Sequence, residues 1–332
     1  MKRNVMVLTM LSLLVLLLSL LSIKVGAVSI GWLDILQALT GRSDSDQRYI
    51  VLHYRLPRIV VAILVGSGLA VSGLITQALL RNPLAAPDTL GISAGASLGA
   101  VLTVLILPPG QPVWVTPLAA LIGGFVGGML VYGLSYSGGI DPVRLALVGI
   151  AVSACGSTLV QLLVTRFAAN ASTVLLWLNG SLWGRTWDQV IQSLPIIGLA
   201  LPVTWVLARR LDILALGDET SRGLGLRLEP VRLLLFGFAI ALAGGSVAAA
   251  GMIGFAGLVS PHMARRLVSR GHRILIPVTA LVGAALVLLA DMIGRILAPP
   301  VEFPAGLVTA VIGAPYFLYL LWREFRPARA RT

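Results

Sequence analysis

Eight long stretches of the 332-residue chain contain no charged residue. They cover residues 4–23, 59–80, 89–140, 145–165, 189–208, 233–264, 274–290 and 303–322. Because a helix of about 17 to 25 apolar residues spans the hydrocarbon core of a bilayer, each stretch can cross a membrane at least once. Charged residues make up 11% of the chain, against about 25% in a soluble domain. The chain is therefore expected to be an all-α, polytopic membrane protein.

Two of these stretches are too long for one helix. Residues 89–140 are interrupted by Pro108-Pro109-Gly110-Gln111-Pro112, and residues 233–264 by the glycine-rich run 250–257. Proline removes a helical hydrogen bond, and clustered glycine favours turns. Counting each stretch as two crossings predicts about ten transmembrane helices in a single domain over residues 1–332, with both termini on one side.

The N-terminal stretch admits two interpretations. Met1-Lys2-Arg3, the apolar run and Val25-Gly26-Ala27 occur in the order of a secretory signal and its cleavage site. The run is longer than the about 7 to 15 residues of a signal core, which favours an uncleaved transmembrane helix. With a cytoplasmic N-terminus, 17 Lys and Arg residues fall inside and 8 outside. The positive-inside rule therefore predicts cytoplasmic termini, and it accounts for the net charge of +12 without nucleic-acid binding.

Residues that would support catalysis are scarce. Only Lys2 and Lys24 are lysines, so the chain contains no Gly-Lys-Ser/Thr phosphate-binding loop. The three histidines are far apart, and Cys155 is the only cysteine. We therefore predict no enzymatic activity, cofactor or metal site in this chain, and any ATP hydrolysis must belong to another polypeptide.

The ionisable residues nearest to a helix centre are Asp291 and Arg295. Their spacing of four residues allows an ion pair on one helical face. Because Pro299-Pro300 follow closely, the pair is expected near the outer end of its helix. A structural or docking role is favoured over a proton relay, which would more often place carboxylates deep in the bundle.

Three arginines on the predicted outer side run against the positive-inside bias. Arg55 and Arg58 precede the second helix, and Arg295 ends the ninth. Without local compensation, they indicate either an acidic protein partner or contact with lipid headgroups. Upstream, residues 29–41 (with Ile30, Trp32, Leu33, Leu36 and Leu39) have the pattern of a short amphipathic helix at the membrane surface.

The cytoplasmic segment 212–229 has too few apolar residues to cross a membrane and too many for an ordinary loop. Gly217 can end one short helix, Asp218 can cap a second, and Gly223 or Gly225 can end it. Two short helices with exposed leucines are expected, either for a protein partner or resting on lipid. The candidate contact residues are Leu214, Leu216, Gly217, Asp218, Glu219, Arg222, Gly223 and Gly225.

Small residues recur at the spacing that lets transmembrane helices approach closely. Gly91, Gly95 and Gly99 are four apart, as are the pairs Gly123/Gly127 and Gly124/Gly128. This pattern predicts close helix packing.

Six motif groups spread along nearly the whole chain resemble those of FecCD-type permeases. These proteins are the membrane subunits of ABC importers for iron-siderophore complexes, haem and vitamin B12. The motifs are Arg55-Leu-Pro-Arg58, Asn82-Pro-Leu-Ala85 with Pro87-Asp88-Thr89-Leu90-Gly91, Leu178-Asn-Gly-Ser-Leu-Trp-Gly184, Leu216-Gly-Asp-Glu219 with Gly223-Leu-Gly225, Gly254-Phe-Ala-Gly257-Leu-Val-Ser-Pro-His262, and Gly313-Ala-Pro315.

The resemblance implies the fold of the vitamin B12 importer permease, a location in the bacterial cytoplasmic membrane, and several partners. These are a second permease subunit, identical or paralogous, two ATPase subunits that bind ATP and Mg, and an extracytoplasmic substrate-binding protein. It implies that Arg55, Arg58 and Arg295 receive acidic residues of the binding protein. It also implies that residues 212–229 form coupling helices on the ATPase, and that Asn82 and Leu84 lie near the cytoplasmic gate.

The segments 175–187 and 299–304 look most like those of permeases for ferric citrate and related siderophores. Haem and vitamin B12 remain alternative cargoes, and a proton-coupled secondary transporter or a non-transporting scaffold remain alternative functions. Ile140-Asp141-Pro142-Val143 lacks the small hydroxyl residues that help to form the gate of the B12 importer, so details of that gate are not transferred.

Overall fold

The computed structural model describes residues 2–26, 30–40, 45–108, 110–167, 171–268, 271–297, 299 and 301–324. Within these ranges the chain is helical, with one isolated bridge between Tyr136 and Ile140. The α-helices are α1 (Lys2–Lys24), α2 (Trp32–Thr40), α3 (Ser45–Tyr49), α4 (Leu56–Leu80), α5 (Ile92–Ile106), α6 (Val115–Ser135), α7 (Pro142–Arg166), α8 (Ala171–Leu178), α9 (Trp187–Val206), α10 (Ala208–Leu214), α11 (Asp218–Gly223), α12 (Leu228–Ala250), α13 (Ala256–Leu267), α14 (His272–Ile296) and α15 (Ala305–Glu324). A π-helical turn (Ile50–Arg55) precedes α4, and a 3₁₀ turn (Pro87–Leu90) precedes α5.

Eight stretches in the described part of the chain are long and apolar enough to span a membrane. They contain α1, α4, α6, α7, α9, α12, α14 and α15, and the apolar helix α5 is shorter, with 15 residues. The predicted break at residues 108–112 falls between α5 and α6, and Pro109 itself lies outside the described residues. The all-α membrane fold is confirmed, and ten is an approximate count of its helices.

The predicted eighth crossing, α13, has only 12 residues. Gly257 in its first turn touches Gly73, which lies about two thirds of the way along α4 at 1.5 Å per residue. The α13 helix therefore begins inside the membrane and runs back to the cytoplasmic side, where Arg3 donates to the Leu267 carbonyl at 3.3 Å. The sequence supplies enough apolar residues for two crossings, but Gly251–Phe255 divide them unequally.

Helix α4 is the centre of the bundle, with 83% of its apolar window buried, against 22% for α1 and 11% for α7. Small residues allow its neighbours to approach. A Cβ atom at Gly66 would lie 2.4 Å from the Gly283 carbonyl oxygen on α14, and one at Gly73 would lie 1.8 Å from the Gly257 carbonyl oxygen. Because α4 touches α12, α13 and α14 directly, its two ends are held in fixed positions.

The predicted glycine packing is confirmed between α5 and α6. A Cβ at Gly95 would lie 2.2 Å from the Gly123 carbonyl oxygen, and a Cβ at Gly99 would lie 2.2 Å from the Ala119 carbonyl oxygen. Neither position admits a larger side chain without displacing backbone.

Candidate docking, pathway and coupling sites

A cavity of about 490 Å³ lies at the outer end of α4. It is bounded by the end of α1, the π-helical turn, the loop between α8 and α9, and the segment that follows α14. Its charged lining residues are Arg55, Arg58, Arg185, Arg295 and Glu302, and Trp183 is an aromatic lining residue. This cavity, referred to below as the outer cavity, contains all three arginines predicted as docking residues.

Arg58 and Arg295 both contact carboxylates, although the sequence offered a partner only for Arg295. Arg58 Nη2 lies 2.7 Å from Asp291 Oδ1, and its Nε also donates to this carboxylate. Arg58 Nη1 lies 2.7 Å from Glu302 Oε2, and Arg295 Nη2 lies 3.1 Å from Asp291 Oδ2. The predicted Asp291–Arg295 pair is therefore present, and Arg58 joins it from a position 233 residues away in sequence.

Arg55 and Arg295 also bind the C-terminal end of α1, where helical carbonyls lack partners within the helix. Arg55 Nη1 donates to the carbonyls of Ile23 and Lys24, the latter at 3.2 Å. Arg295 Nη1 donates to the carbonyls of Ser22 and Val25, at 3.1 and 2.5 Å. These two arginines thus fasten α1 to α4 and α14 at the outer surface.

Arg185 is the fourth arginine of this cavity, and the sequence did not predict it as a docking residue. It lies between α8 and α9, and its Nε donates to the Ser181 carbonyl at 3.1 Å. Burial lowers the pKa of the Arg185 guanidinium to about 10, so it remains protonated at neutral pH. Its outer location was evident from the sequence, but its proximity to Arg55, Arg58 and Arg295 depends on the fold.

A second cavity, of about 260 Å³, lies between α5 and α7 and is lined by Asp88, Ser93, Ser97, Ser153 and Ser157. We refer to it as the hydroxyl cavity. Ser93 Oγ donates to the Asp88 carboxylate, and Ser153 Oγ donates to the Asp88 carbonyl at 2.7 Å. Ser153 and Ser157 lie near the middle of the 25-residue helix α7. The sequence predicts almost no ionisable groups at this depth, so the position of Asp88 in the cavity was not predicted.

The polar groups of the hydroxyl cavity are open on one side. Asp88 and Ser157 are both exposed, and Ser157 has no hydrogen-bond partner within the part of the chain that the structure describes. In hydrocarbon, an unpaired hydroxyl and a carboxylate are strongly unfavourable. Water or another protein surface, rather than lipid, must therefore cover this face of α5 and α7. Serines spaced four apart on both helices were the available sequence signal.

At the cytoplasmic end of α4, Asp218 lies between two arginines. Its Oδ1 accepts from Arg81, which follows the last residue of α4, and from Arg232 Nη2 on α12 at 2.7 Å. Arg232 Nη1 also donates to the Ile140 carbonyl at 2.7 Å. This group, the cytoplasmic junction, therefore connects the loop after α4, the predicted coupling segment, α12 and the segment before α7.

The arginines determine the protonation of Asp218. Partial burial alone would raise its pKa, but the hydrogen bonds and charges of Arg232 and Arg81 outweigh this effect. The pKa of Asp218 consequently lies below its ordinary value of 3.8. Asp218 is thus ionised at neutral pH and serves as the centre of the junction. The prediction that its side chain caps a helix is wrong, since α11 begins after Gly217 without a side-chain cap.

The predicted coupling segment, residues 212–229, contains the end of α10 and the whole of α11, and Gly217, which directly precedes α11, has a φ of 100°. Leu216 is 58% exposed and Leu224 60% exposed, whereas Leu214 is only 1% exposed. Leu214 was predicted as a contact residue, but it belongs to the core because α10 turns it toward the bundle. Glu219 and Arg222 remain exposed on α11.

The profile of the FecCD transport family matches residues 13–323, almost the entire chain. The chain belongs to the FecCD transport family. The Fe(3+)-citrate import system permease protein YfmE of Bacillus subtilis (strain 168) is 43% identical over 325 residues, covering 98% of this chain and 97% of the relative. The Fe(3+) dicitrate transport system permease protein FecD of Escherichia coli (strain K12) is 42% identical over 305 residues, covering 92% and 94%.

A solved structure, of a metal-chelate type ABC transporter in an inward-facing conformation, shares this fold. The two chains superpose with a TM-score of 0.84 at 30% identity, covering 96% of this chain and 99% of the solved chain. These findings confirm the predicted resemblance to the FecCD family. The protein is accordingly a multi-pass permease of the cytoplasmic membrane, and its family implies ATPase and substrate-binding partners.

In this FecCD-family permease, the two predicted gate residues adjoin the cytoplasmic junction. Asn82 is exposed and accepts a hydrogen bond from the Leu84 amide at 2.9 Å, which folds the loop after α4 into a compact turn. Arg81 immediately precedes Asn82 and adopts a left-handed conformation, with a φ of 48°. A displacement of α11 would therefore be transmitted through Asp218 and Arg81 to the gate candidates.

The predicted surface helix also corresponds to a helical segment, since α2 covers Trp32–Thr40. Trp32, Leu33 and Leu36 are exposed on it, and Lys24 lies over the Trp32 ring at 5.6 Å. Residues 29 and 41, the limits of the prediction, lie outside the described residues. Its location at the membrane surface remains a prediction.

Proposed function

We propose that this chain is the permease subunit of an ABC importer that carries an iron(III)-citrate or related iron(III)-siderophore complex by alternating access. The observation that carries this proposal is the similarity to two Fe(3+)-citrate permeases. They are 43% and 42% identical to this chain over 98% and 92% of its length. The cargo assignment follows the names of these relatives, and haem and vitamin B12 are the alternatives. Since selectivity of such systems also depends on a separate binding protein, the cargo must be measured directly.

A second permease subunit, identical or paralogous, would cover the open face of α5 and α7. Two observations support this arrangement. Only 11% of the apolar window of α7 is buried in the single chain, and the hydroxyl cavity opens on the same face. A pathway between two subunits would allow Asp88, Ser153 and Ser157 to face water and cargo.

The chain would provide the gates and the coupling surface, while two partner ATPases bind ATP and Mg. Exposed Leu216, Glu219, Arg222 and Leu224 would contact the ATPase. Movement of α11 would then alter the cytoplasmic junction and, through Arg81, the loop containing Asn82 and Leu84. In this scheme the chain itself performs no covalent chemistry.

Arg55, Arg58 and Arg295 would form the docking face for an acidic binding protein. They share the outer cavity, and its four guanidinium groups and two carboxylates leave a net charge of +2. A positive cavity favours association with acidic side chains. A proton relay through Asp291 has less support, because this carboxylate is held between Arg58 and Arg295.

Reconstitution tests the proposed function. The complete complex in proteoliposomes, with binding protein outside and ATP inside, is expected to take up radiolabelled iron(III)-citrate. Omission of ATP should abolish uptake, and a proton gradient alone should not restore it. Excess unlabelled haem or vitamin B12 serves as a competitor. Uptake driven by the proton gradient would refute the ABC mechanism, and transport of only haem or B12 would refute the proposed cargo.

The hydroxyl cavity offers a test of the pathway. Ser157→Leu fills the open side of the cavity with an apolar side chain and is expected to reduce uptake by about tenfold, equivalent to about 1.4 kcal/mol. Ser19→Leu is the matched control, because Ser19 Oγ bonds to the Val15 carbonyl within α1, away from the cavity. Equal uptake by the two variants would argue that the cavity lies outside the route of the cargo.

A further inference from the structure

The outer cavity contains four arginines, and they differ in how their charges are satisfied. Arg58 contacts Asp291 and Glu302, and Arg295 contacts Asp291. Arg55 donates to backbone carbonyls at the end of α1. Arg185 differs from Arg58 and Arg295, since it contacts no carboxylate in the part of the chain that the structure describes.

The backbone fixes the position of Arg185. The Ser181 amide donates to the Ala250 carbonyl at 2.8 Å, which ties the loop to the end of α12. Thr186 and Gln189 form a capping box at the start of α9. Arg185 lies between these two anchors, and its only described hydrogen bond uses Nε. Neither terminal nitrogen has a hydrogen-bond partner among the described residues, and the Arg185 side chain lines the outer cavity.

A half-buried guanidinium without an anion is unfavourable, because it has lost water without gaining a charged partner. Burial, rather than a neighbouring acid, dominates the environment of Arg185. A carboxylate that entered the cavity would restore the lost interactions, and a guanidinium can bind it through two parallel hydrogen bonds.

The cavity already accommodates one carboxylate at its edge. Glu302 reaches it from the segment after α14 and places Oε2 2.7 Å from Arg58 Nη1. Trp183 is 67% exposed and Tyr54 49% exposed at the same cavity. Aromatic side chains beside an arginine are typical of the energetically important part of a protein interface. The surroundings therefore fit an acidic side chain presented by a protein.

We propose that Arg185 is the free anion receptor of the outer cavity and binds the carboxylate of an acidic side chain on the extracytoplasmic binding protein. This inference rests on the proposed function. Arg58 and Arg295 then shape the cavity through Asp291, and Arg55 and Arg295 hold α1. Arg185 supplies the charge that only the docked partner neutralises. Docking affinity should depend on Arg185 more than its position in a short loop would suggest.

The test measures binding of the cognate binding protein, loaded with iron(III)-citrate, to the complete transporter in nanodiscs. Arg185→Gln is expected to weaken binding by about tenfold or more and to reduce its dependence on salt. Arg185→Lys should retain part of the affinity, since it keeps the charge but loses the paired hydrogen bonds. Arg166→Gln is the control, because Arg166 is an exposed outer arginine whose guanidinium lies near the Phe167 ring.

Basal ATP hydrolysis by the complex, measured without binding protein, checks that each variant is folded and assembled. Docking of Arg185→Gln with the affinity and salt dependence of the unchanged protein would overturn the proposal and leave the proposed function intact. Failure of the unchanged transporter to bind any binding protein would instead refute the proposed function.

A small-molecule carboxylate could use the same chemistry, and a second arm separates it from a protein side chain. Equilibrium dialysis with radiolabelled citrate, with and without iron(III), is performed on the transporter in the absence of binding protein. No binding that depends on Arg185 is expected. Citrate binding that Arg185→Gln abolishes would overturn the assignment of the site to the binding protein.

Discussion

The two ends of α4 carry the same arrangement of charges in different surroundings. At the outer end, Asp291 lies between Arg58 and Arg295, and at the cytoplasmic end Asp218 lies between Arg81 and Arg232. The side chain of Asp291 is 3% exposed, whereas that of Asp218 is 31% exposed. The central carboxylate is therefore buried on one side of the membrane and partly hydrated on the other, where Arg81 is 34% exposed and Arg232 only 3% exposed.

The elements that each group connects explain this difference. Asp291 joins α4 and α14, two long helices that pack through the close contact of Gly66 and Gly283. Asp218 joins the loop after α4 to α11 and α12, and α11 has only six residues. Removing one partner of a buried ion pair strongly destabilises the fold, whereas removing one partner of a hydrated pair lowers the free energy of unfolding by about 1 kcal/mol or less. The outer group around Asp291 is therefore suited to holding α4 and α14 in fixed positions. The cytoplasmic junction around Asp218 is suited to a contact that opens and closes.

The largest effect expected is that of Asp291→Asn. The substitution leaves the positive charges of Arg58 and Arg295 buried beside each other, which should reduce the free energy of unfolding by about 3 to 5 kcal/mol. Thermal unfolding of the purified protein in detergent measures the loss. Glu302→Gln is the control, with a smaller expected loss because Glu302 is 20% exposed. Equal melting temperatures for the two variants would contradict the proposal that Asp291 holds α4 and α14 in fixed positions.

The coupling segment allows the next comparison, between two leucines two residues apart. Leu214→Ala should destabilise the fold by about 2 to 5 kcal/mol, because the side chain is buried. Leu216→Ala should leave stability within about 0.5 kcal/mol, because the side chain is exposed. Thermal unfolding measures both, and copurification measures retention of the ATPase.

Loss of the ATPase by a stable Leu216→Ala protein is the expected result. Retention of the ATPase by this variant would argue that the exposed leucine rests on lipid, the alternative that the sequence left open.

How far the charge groups could be predicted is clear from α4. Its length and the arginines at its ends follow from the sequence, because an uncharged run between charged residues is sufficient for a crossing. The partners of those arginines do not follow, since Asp291 and Asp218 lie 233 and 137 residues away. Arg58 therefore seemed uncompensated until the fold placed Asp291 between it and Arg295.

The sequence also could not determine which way individual side chains point or how deep a segment lies in the membrane. Composition placed Leu214 and Leu216 in one amphipathic segment, but only the packing of α10 decides which one is buried. Similarly, the apolar length of residues 233–264 does not reveal that α13 begins within the membrane. The hydroxyl cavity also needed the fold, because Asp88 reaches it from a 3₁₀ turn rather than from a predicted helix centre.

A double-mutant cycle at the cytoplasmic junction addresses the opening contact directly. Arg81→Gln is expected to change stability by about 1 kcal/mol or less. Asp218→Asn should cost more, because it leaves the buried Arg232 with Glu229 at 3.4 Å as its remaining charged partner. Both variants should lower the iron taken up per ATP hydrolysed. Because Arg81→Gln removes one of the two contacts that Asp218→Asn removes, the double variant should be no worse than Asp218→Asn alone. Asp46→Asn, an exposed acid far from the junction, is the control. Additive losses of coupling would indicate that the two residues act through separate contacts.

The smallest effect is the pH dependence of the junction. The pKa of Asp218 is lowered in the folded protein, so its stabilising contribution is complete above the ordinary value of 3.8 that applies to the unfolded chain. That contribution is lost only as pH falls further, through the lower pKa of the folded state. Stability of the unchanged protein relative to Asp218→Asn should consequently be constant between about pH 5 and pH 8 and should decline only below about pH 4. A change in this difference near pH 6 would contradict the assignment, because a group other than Asp218 would then control the junction.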